Sequence, residues 1–366
     1  MKLLKTLTAI AVMTLGSGLA QAQDKPAELK IGITTFMSGA ASVFGVPAKA
    51  AAELLIEEMN AKGGIGGVKV TATYIDEGIG GDKLLSEYRR LVQEQGVRTM
   101  LSAISSGNCN IVAPVAEDLK VLNVMWDCGT EKVLEDKRYK YVVRTQANAT
   151  TEMVATVLYL LKTKPNFSTI AVVNQDYAWG RDSWEIFINT LKALKPDVKV
   201  VAEMFPKLGA SDFSTEISRL QALRPDVVLN TSWGGDLDTF VRQAAQRGLF
   251  TQGATMVLPL AESSLERLGA TMPEGVIVGG RGDHYFSAPR DKRRACAQRF
   301  CYQVSCQDRC LPDLPHLPHG ASPGRFEDRL RERHQGQRRQ VAEHRASGRG
   351  HAQDGVQGLW SYGQHA

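Results

Sequence analysis

Apolar residues recur along this chain with two alternating periods. "ELKIGITTF" (28–36) is a short β-type run, and "VPAKAAAELLIEEMNAKGG" (46–64) has helical spacing and ends on glycine. "VKVTATYID" then predicts a strand, "GDKLLSEYRRLVQEQG" a helix and "VRTMLSAI" a strand, and "NIVAPVAEDLK" with "VLNVMWD" repeats the pair. After "YKYVVRTQANAT" a second series starts at "TEMVATVLYLLKTK" and "STIAVVNQD" and runs through "PDVVLNTSW" to "TMVLPL". Alternation of this kind requires a mostly parallel sheet with crossover helices on both faces. The expected fold is α/β, two doubly wound parallel-sheet lobes joined by a hinge, with crossings near Val143–Thr145 and Met256–Pro259. Residues 23–144 would form the first part of lobe one, 145–256 lobe two, and 257–286 the return to lobe one.

Lys2 and Lys5 precede an uncharged apolar run, Leu7 to Leu15, and small residues lead on to Ala20, Gln21 and Ala22. These are the three parts of a secretory signal, residues 1–22, cleaved after Ala22. The run is too short to span a bilayer, and no later stretch reaches about 20 apolar residues. A soluble protein exported to the periplasm is the expectation. The formal charge of +5 conceals a change of character near Ser287. From there on thirteen Arg and one Lys oppose eight acids, so residues 1–286 sum to −1. That mildly acidic part carries no electrostatic footprint for nucleic acid or an anionic membrane.

The glycines of "KGGIGGVKV" invite a nucleotide-binding reading, but they follow a helix and precede a strand. A phosphate loop has the opposite polarity, so a helix C-cap and turn is expected. No G-x-S-x-G elbow or H-E-x-x-H is present, and His284 is the only histidine before Ser287. With no catalytic set and no cofactor fingerprint, a binding protein is expected rather than an enzyme. Asp76 and Glu77 in "YIDEGIGG" would point to opposite faces of a strand and read as a solvated loop pair.

In open α/β sheets ligands lie beyond the carboxyl ends of the strands. The loops there are "FMSGAASVFG", "ISSGNCN", "WDCGTEK", "NQDYAWG" and "SWGGD". Ser105, Ser106, Gly107 and Asn108 offer hydroxyls and helix N-terminal amides to a carboxylate, or else cap the helix. Phe44, Tyr177, Trp179 and Trp233 sit in the same loops and suit the walls of a flat pocket. Cys109 and Cys128, on neighbouring loops in an oxidising compartment, favour a disulfide over free thiols.

"LKIGITTFMSGAASVFG", "IEEMNAKGGIGG", "SSGN", "VVRT", "DYAWG" and "FVRQAAQRG", in that order, resemble the periplasmic solute-binding proteins of ABC importers, the branched-chain amino-acid type in particular. The similarity runs over about residues 28–286. It implies a monomer whose two lobes close over one small ligand, with a membrane permease as partner. By position, the resemblance makes Phe44 a first-loop aromatic and assigns Ser105, Ser106, Gly129 and Thr130 to a ligand carboxylate. Tyr177 and Trp233 become the aromatics of lobe two. It also places an ammonium-pairing acid just after the second crossing, where this sequence has Leu260, with Glu262 two residues on. A missing acid would leave a buried ammonium unpaired, which points to a carboxylate ligand without an α-amine, aromatic in view of the pocket walls. A ligand-sensing receptor domain is the alternative, and a Rossmann-type enzyme the third.

The stretch "CAQRFCYQVSCQDRC" suggests a metal cage of Cys296, Cys301, Cys306 and Cys310, with His316 and His319 nearby. Its spacings of four, four and three residues match no common zinc pattern, and no metal is expected. Members of the resembled family carry a segment of the kind "YPxYPxYHMAQA" at about this distance. The codons for Cys306–Pro323, written with suitable third bases and read one base later, give "AKTAAYPIYPTYHMAQA". The reading frame is therefore expected to slip near 287–300, leaving residues 287–366 as frameshifted or disordered sequence.

Overall fold

A computed structural model of the chain describes residues 25–280, Ala103 and Ala147 excepted. The expected signal with its cleavage at Ala22, and all of 281–366 with its cysteines, lie outside the described residues. The first lobe runs through β1 (Glu28–Thr35), α1 (Ser42–Ala61), β2 (Lys69–Asp76), α2 (Gly81–Gln93), β3 (Thr99–Ser102), α3 (Ser106–Leu119), β4 (Leu122–Met125), α4 (Lys132–Glu135) and β5 (Val142–Arg144). The second runs through α5 (Ala149–Thr163), β6 (Thr169–Val173), α6 (Ala178–Leu194), β7 (Lys199–Met204), α7 (Ser214–Leu223), β8 (Val227–Leu229), α8 (Gly234–Gln246), β9 (Thr255–Leu258), α9 (Leu265–Leu268) and β10 (Ile277–Val278).

Strands pair in the orders β2-β1-β3-β4-β5 and β7-β6-β8-β9-β10, all parallel. The two lobes thus repeat one topology. The second crossing expected at Met256–Pro259 is not there. Met256 in β9 pairs with Val228 in β8, and Ile277 in β10 with Val257, so 257–278 completes the second sheet instead of returning to lobe one. A run such as "TMVLPL" has the same pattern inside a lobe as at its exit, so the sequence alone could not place it. The glycines after α1 do close that helix, with Gly64 N donating to Met59 O at 2.9 Å.

Packing differs between the lobes on one face. In lobe one, Leu84, Tyr88 and Leu91 recur at helical spacing along α2 and are wholly buried against Met100 and Val112. Gly32 is needed there, because a Cβ would meet Met100 Sδ at 2.3 Å. The opposite face of this sheet carries Ile33, Leu101, Val124 and Val143 in one register row. Among the described residues α1 covers it, at the β1–β2 end, and exposure grows along the row from 4 % at Ile33 to 44 % at Val143. The matching row of lobe two, Val172, Leu229, Val257 and Ile277, is buried beneath α5 and α6. Parallel sheets are normally covered on both faces. Lobe one therefore lacks the counterpart of α5 among the described residues.

Candidate functional site

Both sheets present their strand C-termini to one another, and the loops that follow meet in a pocket lined from both lobes. Phe44, Ile104, Ser106, Asp127 and Gly129 line it from lobe one, and Tyr177, Trp179, Trp233, Leu260 and Glu262 from lobe two. These loops follow β1, β3, β4, β6, β8 and β9, the positions doubly wound sheets use for ligands. The lobes touch around it. Phe36 and Phe44 pack on Trp233 with centroids 6.1 and 6.0 Å away, and Gly235 N donates to Ala40 O at 3.1 Å. Lys132 Nζ lies 3.0 Å from buried Asp182 of α6, which also accepts from the Thr130 hydroxyl.

Six residues singled out in the sequence, Phe44, Ser106, Gly129, Tyr177, Trp179 and Trp233, meet in this lining. Ser106 Oγ accepts from Thr130 N at 3.2 Å, which leaves its proton to donate. Trp233 Nε1 donates to Tyr177 Oη at 2.6 Å and Trp179 Nε1 to Thr231 O at 3.0 Å, so both indoles are fixed in orientation. The other four are turned elsewhere. The Ser105 side chain caps α3, the Asn108 amide donates to Glu77, the Thr130 hydroxyl goes to Asp182, and Gly107 is outside the lining. Among the described residues no group of His, Cys, Asp or Glu is placed to hold a metal ion.

Two carboxylates in the wall alter the ligand chemistry expected from the sequence. Leu260 is a wall residue, and Glu262 two positions on lines the pocket as well. Asp127, whose Oδ1 accepts from Gln146 Nε2 at 2.6 Å, lines it too. An acid is therefore present for a ligand ammonium, and the reason for excluding an α-amine falls away. No sequence period marks Asp127 or Glu262, since both sit in loops whose course only the packing of the lobes defines.

Asp76 and Glu77 are not a solvated pair. Asp76 Oδ1 accepts from Met37 N and Gly78 N, and Glu77 is 3 % exposed. A short 3-10 turn at Glu77–Ile79 breaks the strand alternation and swings Glu77 inward. Cys109 and Cys128 form the expected disulfide, tying α3 to the loop after β4 within the buried core of lobe one. Closing a loop of 19 residues contributes about 3 kcal/mol in the chain-entropy account. Replacing both cysteines by serine is expected to lower the calorimetric melting midpoint by roughly 5–10 °C.

Residues 28–303 match the family model described as "Periplasmic binding protein". The chain belongs to the periplasmic binding protein family. This periplasmic binding protein is 27 % identical over 291 residues to the Leu/Ile/Val/Thr-binding protein of Salmonella typhimurium, covering 79 % of this chain and 76 % of that one. It is 26 % identical over the same length to the Leu/Ile/Val-binding protein of Escherichia coli K12, with the same coverage. Among solved structures, the solute-binding protein of an ABC transporter from Rhodopseudomonas palustris BisB5 in complex with 3,4-dihydroxybenzoic acid superimposes with a TM-score of 0.64 at 21 % identity, over 77 % of this chain and 74 % of that one. The leucine-binding protein of Thermotoga maritima does so at 0.63 and 21 %, over 76 % of each chain. The two-lobed fold is thus the family's, and the family is one of solute binders rather than of enzymes. No helix among the described residues is long and apolar enough to cross a membrane.

Proposed function

We propose that this protein captures a small apolar α-amino acid between its lobes in the periplasm and presents it to the membrane permease of an ABC importer. The observation that carries the reading is the composition of the pocket. Ser106 at the N-terminus of α3 supplies a hydroxyl and a positive helix end to a carboxylate. Asp127 and Glu262 supply negative charge to an ammonium, and Phe44, Tyr177, Trp179 and Trp233 enclose an apolar side chain. A carboxylate without an amine would bring a further negative charge into a wall that already carries two acids. The similarity to the Leu/Ile/Val/Thr-binding and Leu/Ile/Val-binding proteins supports the reading. The ligand spans groups from both lobes only when they are closed, so binding shifts the hinge equilibrium without any chemical step.

Calorimetric titration with leucine, phenylalanine, benzoate and 4-hydroxybenzoate tests this. Expected is binding of an amino acid at least about 10-fold tighter than of either aromatic acid, a difference of about 1.4 kcal/mol. Tight binding of an aromatic acid with no response to either amino acid would overturn the assignment in favour of a ligand lacking the amine.

A further inference from the structure

We infer that Glu77 is the positioning residue of the pocket's Ser106 wall, an acceptor-only clamp on the segment that joins β3 to α3. This rests on the pocket being the ligand site proposed above. Glu77 is nearly inaccessible, and four donors converge on its carboxylate. Oε1 accepts from Thr34 Oγ1 at 3.0 Å and from Ile104 N at 2.8 Å. Oε2 accepts from Ser105 N and from Asn108 Nδ2, both at 3.0 Å. Ile104 and Ser106 are pocket residues, and Ser105 is the cap of α3 between them. One carboxylate therefore fixes the backbone on which the carboxylate-binding hydroxyl is mounted.

The demand for a carboxylate follows from the donor set. All four partners give a proton and none can accept one from Glu77 without rearranging. An ionised carboxylate has lone pairs for all of them, whereas a glutamine of the same length offers one oxygen and presents an NH₂ to the rest. The amides of Ile104 and Ser105 are buried and sit on different oxygens, so glutamine leaves one of them facing an NH₂ and exposes the cost of a buried unpaired donor. No cation is among the four partners. Those bonds and the positive end of α3 offset the cost of the buried charge. Burial still pushes the carboxyl above its ordinary range. The neighbouring acid, Asp76, is turned away to the amides of Met37 and Gly78.

Amide hydrogen exchange on the unliganded full-length protein tests the clamp without reference to any ligand. In Glu77→Gln, protection of whichever of Ile104 and Ser105 faces the new NH₂ is expected to fall by about 100-fold while β6 and β8 of lobe two keep theirs. Leucine affinity is expected to fall with it, and if leucine fails to bind the wild type, the exchange result still decides the role of Glu77. Wild-type protection in Glu77→Gln overturns the inference, and so does an equal loss across both lobes, which would make Glu77 a general fold residue. Should Glu77→Gln not fold, Asn108→Asp serves, since Asn108 is only half-buried. There a second carboxylate replaces one donor. Protection of Ile104 and Ser105 is then expected to drop at pH 8 and return toward pH 5, where the pair shares a proton. Protection in that variant that does not change with pH overturns the clamp.

Discussion

Removing one base from the codons for residues 287–300 is expected to raise the melting midpoint of the product by roughly 10 °C over the chain as written. The ground is the unequal cover of the two sheets. In lobe two, α5 follows the crossing from β5 and lies beside α6 over Val172, Leu229, Val257 and Ile277. By the same repeat, the shifted frame beyond β10 would supply a helix over Leu101, Val124 and Val143, the row that lacks one among the described residues. The written sequence offers an arginine-, proline- and histidine-rich stretch at this point, while the frame one base later offers "AKTAAYPIYPTYHMAQA", rich in apolar and aromatic residues. The family match ends at residue 303, just past the span in which the slip is placed. Covering Leu101, Val124 and Val143, partly exposed up to the 44 % of Val143, contributes about 2–3.5 kcal/mol at about 1.5–3 kcal/mol per fully buried side chain. Thermal unfolding of the two products, followed by circular dichroism, measures the difference. Equal midpoints, or genomic DNA that reads through this span as written, would sink the frame assignment.

Strand and helix positions in 28–258 were legible because apolar periodicity is a local property. "GDKLLSEYRRLVQEQG" announces α2 through Leu84, Tyr88 and Leu91, and the structure buries those three. The pocket aromatics were legible for a different reason. Phe44, Tyr177, Trp179 and Trp233 follow strand C-termini, and topology sends such loops to the cleft. What could not be read was which sheet a strand joins. β9 and β10 belong to lobe two because lobe two repeats the five-strand order of lobe one, a relation between distant segments. Hydrogen-bond allocation was hidden for the same reason. Thr130 has the right residue type to hold a carboxylate, yet its hydroxyl is taken by Asp182, 52 positions away. Glu77 has the type of a surface residue, and only the convergence of Thr34, Ile104, Ser105 and Asn108 makes a site for it.

Gly129→Ala is expected to weaken ligand binding by about 100-fold while leaving the melting midpoint of each lobe within a few degrees of wild type. A Cβ at Gly129 would lie 2.3 Å from Cζ3 and 2.4 Å from Cε3 of Trp179. Something must move, and the indole is a poor candidate. Trp179 is 2 % exposed, part of the lobe-two core, and anchored through Nε1 to Thr231 O. Gly129 is held as well, by the bond from Ala149 N to its carbonyl at 2.9 Å and by the disulfide at Cys128. The two residues stand on opposite lobes, so the clash is relieved most cheaply by opening the hinge. An overpacked contact costs about 1–3 kcal/mol, up to roughly 100-fold in a closure-coupled affinity. Neither core contains the new methyl once the lobes part, which is why stability is spared. Small-angle scattering would report the open form as a larger radius of gyration that a saturating ligand no longer reduces. A variant that binds leucine as the wild type does, with an unchanged scattering profile, would mean that the Gly129–Trp179 contact does not govern closure.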